Sequence, residues 1–250
     1  MSLLGTLRSG ANGILTPFGF QLVRSSSMEP PRSRWSTFEA LSRVSSLGLQ
    51  PQTLIDVGAA SGEWFETARS VFPSIRGLLI EPLAERTPLL EQLALDHPGT
   101  VVVEGIAGNQ EAQVSFNVTD DLDGSGVYGP KGEGKARTVD QLTIDGLIQK
   151  HDMSGSYLLK LDTHGYEIPI LEGAEKTLDQ VELIVVEAYG FKPSPTAVRF
   201  WELCTWLETK GFRCADLSGL MGRQRDGLFW QADFYFLRED HSAFLSDSYR

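Results

Sequence analysis

Two cysteines in 250 residues, Cys204 and Cys214, are too few for a disulfide framework or a four-cysteine zinc module. A reducing compartment, with the cytoplasm as default, is the expectation that follows. Long apolar runs are also missing, since no stretch reaches the roughly 18 apolar residues that mark a membrane-spanning helix. The opening segment, MSLLGTLRSGANGILTPFGFQLVR, has no early cluster of positive charge, and Gly10, Gly13, Pro17 and Gly19 interrupt it. It is a poor signal peptide. Positive charge is scarce throughout: 22 Lys and Arg face 33 Asp and Glu, for a net charge of −11. Such a surface disfavours nucleic acid, anionic lipid and other polyanions as partners. Finally, the first strand-to-helix turn, at Gly58, lacks the G-x-G-x-x-G spacing that is the usual signature of a pyrophosphate-binding dinucleotide turn.

What is present is a chain long enough to bury a full core, with 41% hydrophobic residues. Residues 1–35 read as an extension, closed by the linker SSSMEPPRSR, that serves as a packing arm or as a contact between copies of the chain. From residue 36 to 250 helical and strand patterns alternate. TLIDVG, IRGLLIEP, TVVVEGIAG, SYLLKLDT, ELIVVEAY, RCADL and QADFYFLR read as strands, and AQVSFNVT alternates with period two like an antiparallel one. TFEALSRVSSLG, EWFETARSVF, LAERTPLLEQLALDH, VDQLTIDGLIQKH, YEIPILEGAEKTL and TAVRFWELCTWLETKG read as helices. Apolar strands alternating with helices predict an α/β protein with a mostly parallel sheet covered on both faces. In such folds ligands sit at the carboxyl ends of the strands. Asp56, Gly58, Glu81, Glu104, Asp162 and Glu187 all fall at or beyond those ends, where an acidic residue either meets a ligand or caps the next helix.

The stretch LIDVGAASGEW carries the first functional signal. Asp56, Gly58, Ala60 and Gly62 follow D-x-G-x-A-x-G at a strand-to-helix turn, where small residues let a ligand approach the backbone and the helix amino terminus. A dinucleotide turn would need its third glycine where Glu63 stands, and Asp56 would repel a pyrophosphate. Glu81 closes the next strand 19 residues after Gly62, the place from which a carboxylate accepts hydrogen bonds from ribose hydroxyls. A nucleoside with a cationic tail and no phosphate suits both features. S-adenosylmethionine is such a molecule.

With these residues in view, LIDVGAASGEW, LLIEP, TVVVEGIAG, ARTVDQL and above all KLDTHGYEIPILEGA followed by ELIVVEAY resemble the FkbM family of S-adenosylmethionine-dependent O-methyltransferases. The resemblance spans about residues 53–189. It implies a class I methyltransferase fold, Rossmann-like, with a seven-stranded, mostly parallel sheet, helices on both faces and QADFYFLR as an antiparallel last strand. It implies methylation of a hydroxyl on a sugar, glycan, glycolipid or natural product. It further implies that Gly58, Ala60 and Gly62 line the methionine part of the cofactor, that Glu81 holds the ribose, and that Glu104, Ile106 and Ala107 border the adenine.

An alcohol is a weak nucleophile unless its proton leaves during attack, so positioning and proton removal fall to the protein. His164, with an ordinary pKa of about 6.5, is the first candidate for the base, and Asp162 would orient it or the acceptor. The reverse assignment, Asp162 as base and His164 as donor, is the alternative. Glu167 either caps the next helix or binds the acceptor, and Glu187 and Tyr189 sit on the same edge as further acceptor contacts. Asp162 and Glu187 are also hard oxygen ligands that suit magnesium, although no compact motif requires a metal. The glycine-rich stretch 119–137 ends in G-x-x-x-x-G-K but continues with Ala136 instead of Ser or Thr, which rules out a phosphate-binding P-loop. It reads as a lid, with Ser125 and Tyr128 available to either ligand. The competing reading is a non-catalytic S-adenosylmethionine-binding module on the same fold.

Overall fold

The chain's capping and burial pattern already fixes where helices start. In the computed structural model, which describes residues 33–127 and 134–248, α1 (Thr37–Ser45) begins at Ser36, whose hydroxyl accepts from the Glu39 amide. It buries Ala40, Leu41 and Val44 at helical spacing. All elements below belong to the unit Arg34–Arg250, and Tyr128 lies outside the described residues, as does the extension apart from residues 33–35.

The strands β1 (Thr53–Val57), β2 (Arg76–Glu81) and β3 (Val101–Glu104) alternate with α2 (Glu63–Val71) and α3 (Thr87–Asp96). After β4 (Ile106–Ala107), β5 (Ala112–Val118) and β6 (Lys135–Leu142) come α4 (Ile144–Lys150), β7 (Tyr157–Leu161), the short helices α5 (Glu167–Glu172) and α6 (Glu175–Leu178), and β8 (Val181–Tyr189). The chain then forms α7 (Phe200–Glu208), β9 (Phe212–Gly222) and β10 (Phe229–Arg238). The large sheet is seven-stranded with order β3-β2-β1-β7-β8-β10-β9. Pairings from β3 to β8 are parallel, while β10 runs antiparallel to both β8 and β9. The reversed last strand is therefore inserted between β8 and the edge strand β9.

Strand residues alternate between two cores, as a pleated sheet covered on both sides requires. Leu54, Leu79, Leu158 and Val185 pack with Leu41 and Phe65 from α1 and α2. Ile55, Ile80, Leu159 and Val186 pack with Leu147, Ile170 and Leu203 from α4, α5 and α7.

Three elements differ from the sequence expectation. TVVVEGIAG is not one strand: Gly105, at φ +147°, breaks it, and β4 joins a second, three-stranded sheet of order β4-β6-β5. A side chain at Gly105 would meet the Asp140 carbonyl of β6 at 2.8 Å, so the crossing of the two sheets requires glycine. VDQL belongs to β6, because Val139 pairs with Val114 of β5 and the helix begins only after Thr143, whose hydroxyl accepts from the Gly146 amide at 3.1 Å. YEIPILEGAEKTL is divided at Gly173, where a Cβ would stand 1.9 Å from the Gly108 carbonyl. The small sheet positions one wall of the cavity described next.

Candidate active site

The strand order reverses beside β1: β2 and β3 lie on one side, and β7 lies on the other. A crevice opens at such a switch point, outside the carboxyl ends of the strands. Here Val57 accepts from the Asp162 amide at 3.0 Å, and Gly58, at φ +79°, comes so close that a Cβ would stand 2.2 Å from the Asp162 carbonyl oxygen. Gly58 is thus required by the approach of β1 to the loop after β7. The resulting cavity, about 240 Å³, is bordered by residues of β1, β2, β4, the loop 122–127, and the ends of β7 and β8.

One end is built mainly from backbone and apolar walls. Glu81, only 3% exposed, accepts from the Ala60 amide at 2.8 Å and the Leu83 amide at 3.1 Å. Burial pushes its carboxyl above the ordinary value, against the two amides and Arg86, which favour the charged form. Ala60, at φ +49°, reaches the cavity together with Ile80, Leu83, Ile106 and Ala107.

The other end is a cluster of charged side chains. Asp162, His164 and Glu187 bring three donor atoms within 4.8 Å of one another. His164 Nδ1 lies 3.5 Å from Glu187 Oε1 and 3.9 Å from Asp162 Oδ1. The Tyr189 hydroxyl stands 2.8 Å from the same Nδ1 and donates to Glu187. His164 Nε2 lies 3.0 Å from the Asp123 carbonyl oxygen, which can only accept, so Nε2 carries a hydrogen. His164 itself sits in the left-handed region at φ +55°, a conformation uncommon outside glycine that persists only where the surroundings hold it. Gln231 of β10 donates to the second Glu187 oxygen.

Behind this cluster Lys160 bridges two carboxylates, Asp56 at 3.4 Å and Asp162 at 3.5 Å. Burial acts to lower the ammonium's pKa, but Asp56, Asp162 and Asp233 outweigh it and hold Lys160 charged. Burial works to raise Asp162, yet Lys160 and His164 prevail and keep the carboxyl below its ordinary range. For Asp56 burial wins and raises it despite Lys160. Asp233, opposite Glu187 in the β8–β10 register, is pushed up to about 7 by burial and then by Asp162 and Glu187. Burial opposes the His164 imidazolium, but Glu187, Asp162 and the Asp123 carbonyl lift its pKa from 6.5 to about 9. Near neutral pH the ring therefore carries a proton on each nitrogen, and Tyr189, which donates to Glu187, accepts the one on Nδ1.

Of the residues singled out in the sequence, the structure brings Gly58, Ala60, Glu81, Ile106, Ala107, Asp162, His164 and Glu187 to the cavity. Tyr189 stands behind it and acts through His164 and Glu187. Four other residues expected at the site do not border it either. Asp56 is fully buried against Lys160. Gly62 caps α2 at φ +83° and packs under α3, where a Cβ would stand 2.5 Å from a Leu93 methyl. Glu104 is exposed and accepts from the Thr87 hydroxyl at 3.2 Å. Glu167 is buried and turns back onto the loop before α5, accepting from the Gly165 amide at 2.8 Å and the Thr163 hydroxyl at 3.2 Å, so it braces that loop and does not cap the helix with its side chain. Ser125 borders the cavity and accepts from the Thr119 amide at 3.0 Å.

Sequence reasoning missed Arg86, Asp123, Gln231 and Asp233. Arg86 lines the cavity and pairs with the Asp123 carboxylate, whose backbone carbonyl holds His164. The loop 122–127 is thereby fastened at both ends of the cavity. An arginine shortly after the Glu81 strand end was a legible signal, whereas Gln231 and Asp233 meet Glu187 only through strand register.

Among the described residues no helix is long and apolar enough to cross a membrane. No curated protein matches the sequence. The solved structures that are similar at low identity include the following methyltransferases. Methyltransferase FkbM from Methylobacillus flagellatus KT is 18% identical with a TM-score of 0.49, over 73% of this chain and 43% of that one. A precorrin-6y C5,15-methyltransferase from Geobacter metallireducens GS-15 is 12% identical with a TM-score of 0.43, over 87% and 93%. A SAM-dependent methyltransferase from Aquifex aeolicus is 13% identical with a TM-score of 0.43, over 84% and 94%. The chain thus spans less than half the length of the Methylobacillus protein. The model of the methyltransferase FkbM domain matches residues 56–214, most of the chain and all of the cavity's acidic residues, and the protein belongs to the FkbM methyltransferase family.

Proposed function

We propose that the protein is an S-adenosylmethionine-dependent O-methyltransferase acting on a hydroxyl of a small molecule or sugar. The observation that carries this reading is the polarity of one cavity: a carboxylate held by main-chain amides at one end, and a proton-handling cluster at the other. The residues fit the cofactor. Glu81 offers a buried carboxylate for ribose hydroxyls, Ile80, Leu83, Ile106 and Ala107 offer apolar surface for a base, and the acidic excess behind Gly58 suits a cationic tail. When bound, S-adenosylmethionine supplies a methyl carbon already activated by its sulfonium.

The remaining work is done by the chain. Both ring nitrogens of His164 are engaged by oxygen partners, so it is not the proton acceptor, and its positive charge steadies negative charge on the acceptor. Asp162 Oδ1 is shielded from solvent and has no hydrogen-bond partner, which leaves it to accept the acceptor's hydroxyl proton as attack begins. This is the alternative assignment of base and donor. Glu187, fastened by Tyr189 and Gln231, keeps His164 in place.

The test is methyl transfer from radiolabelled S-adenosylmethionine to a panel of hydroxylated sugars and natural products, with wild type and Asp162→Asn. Transfer by wild type and its loss in the variant support the reading. Cofactor binding without transfer to any hydroxyl, or transfer to nitrogen only, would contradict it.

A further inference from the structure

At and behind the acid-rich end of the cavity four carboxyl groups surround two cations, Lys160 and the protonated His164. Asp56, Asp162, Glu187 and Asp233 converge there, and Lys160 is the cation shared between the first two. The three groups nearest the cavity differ from an ordinary acidic cluster in how they are held. His164 donates Nε2–H to the Asp123 carbonyl at 3.0 Å, which fixes the ring and aims Nδ1 inward. Lys160 lies 3.5 Å from Asp162 Oδ2, which leaves Oδ1 inaccessible to solvent and without a hydrogen-bond partner. Gln231 holds Glu187 Oε2, and Oε1, which accepts from the Tyr189 hydroxyl, faces the imidazole. Each group thus has its outer atom fastened by a different residue, and the three inner atoms converge.

That is the arrangement of a metal site, in which outer partners fix the tautomer and the rotamers of the ligands. Ligands about 2.1 Å from one ion lie roughly 3.0–4.2 Å apart, depending on whether they are adjacent or opposite. The separations of 3.5 and 3.9 Å between Nδ1 and the two carboxylate oxygens fall in that range.

Resting on the methyltransferase reading above, we propose that Asp162, His164 and Glu187 bind one divalent first-row transition metal ion, through Oδ1, Nδ1 and Oε1, and that its open positions receive the acceptor hydroxyl. An imidazole ligand beside two carboxylates favours manganese, iron or zinc over magnesium, which prefers oxygen donors. Metal entry releases the Nδ1 proton to solvent and with it the hydrogen bond to Tyr189, while the phenol keeps its bond to Glu187. With Oδ1 on the ion, Asp162 no longer takes the proton directly: a hydroxyl bound to the ion is the stronger acid and passes its proton to cavity water instead. Its oxygen then forms the bond to the methyl carbon, and the pair of the breaking carbon–sulfur bond stays on sulfur.

The experiment is titration of the EDTA-treated full chain with MnCl2, followed by electron paramagnetic resonance and calorimetry, with MgCl2 in parallel. Wild type is expected to take up one equivalent of manganese, more tightly than magnesium. His164→Gln and Glu187→Gln, each checked for an unchanged melting profile, should weaken it by 10-fold or more, and Gln231→Ala by about 10-fold through its outer bond. Hyperfine coupling to nitrogen should be present in wild type and absent in His164→Gln, a readout that folding alone does not supply. No uptake, or uptake with unchanged affinity in both ligand variants, would overturn the proposal. Displacement of manganese by S-adenosylmethionine would also overturn it, because the cofactor's own cation would then occupy the cluster. If the wild type binds S-adenosylmethionine and transfers methyl groups equally well with and without EDTA, the metal proposal falls and the methyltransferase reading stands. If it does not bind S-adenosylmethionine at all, that reading falls while manganese uptake still decides the metal site.

Discussion

The two ends of the cavity are held by different kinds of chemistry. At the Glu81 end a single carboxylate is fixed by two backbone amides and otherwise meets apolar side chains. At the Asp162 end the fixing groups are mostly side chains, from β7, the loop that follows it, β8 and β10, joined by the Asp123 backbone carbonyl of the loop 122–127. Backbone donors move little and tolerate no change of register, whereas a network of side chains is tuned by each of its members. A site built this way can keep one binding function rigid while its partner end is adapted. The first end suits recognition of an unchanging cofactor. The second suits a ligand whose shape and charge can vary.

Substitutions can break this contrast, and the largest effect is expected where both ends depend on one residue. Gly58→Ala places a methyl group against the Asp162 carbonyl at a positive φ, so it should cost about 3 kcal/mol or more of stability. Urea denaturation measures this, and a loss below 1 kcal/mol would show that β1 and β7 can separate freely. Next comes Asp162→Asn, which should lower turnover by about 100-fold or more with cofactor affinity nearly unchanged. An equal fall in cofactor affinity would instead assign Asp162 to the cofactor. Glu81→Ala should show the opposite pattern. It removes acceptors for charged hydrogen bonds worth about 1.5–3 kcal/mol, so cofactor binding should weaken by roughly 10- to 100-fold in calorimetry while the acceptor's KM stays within a few-fold.

The smallest effect is on stability as pH changes. The folded-state pKa of His164 is raised from 6.5 to about 9, so its protonation stabilises the fold. That contribution is fully present below about pH 6.5 and is lost as pH rises through 9. In EDTA-treated protein, the melting-temperature advantage of wild type over His164→Gln should shrink between pH 6.5 and 9. An advantage that is constant across this window would mean that Glu187 and Asp162 do not hold the proton on the ring.

Much of this was legible in the sequence because it is local. The alternation of helix and strand, the turn from Asp56 to Gly62, and the strand-end acids Glu81, Asp162 and Glu187 all lie where the pattern places them. What was not legible depends on contacts between distant segments. Glu104 and Glu81 both close strands and are paired in register, yet Gly105 turns the chain into the second sheet and leaves Glu104 exposed. Gly62 carries the same residue type as Gly58, but one is required by α3 and the other by the loop after β7. The charge state of His164 could not be read from its ordinary pKa, because Glu187 reaches it from β8 and the Asp123 carbonyl from the loop 122–127. Gln231 and Asp233 carry no local motif at all and matter only because β10 is inserted beside β8.

The most direct test of the account is calorimetric binding of S-adenosylmethionine to wild type, Glu81→Ala and Asp162→Asn, with NAD as a control. Selective binding to wild type, weakened at least about 10-fold by Glu81→Ala and within about threefold of wild type in Asp162→Asn, is the predicted result. Equal affinity in the Glu81 variant, or binding of NAD in preference to S-adenosylmethionine, would contradict the division of the cavity into a cofactor end and an acceptor end.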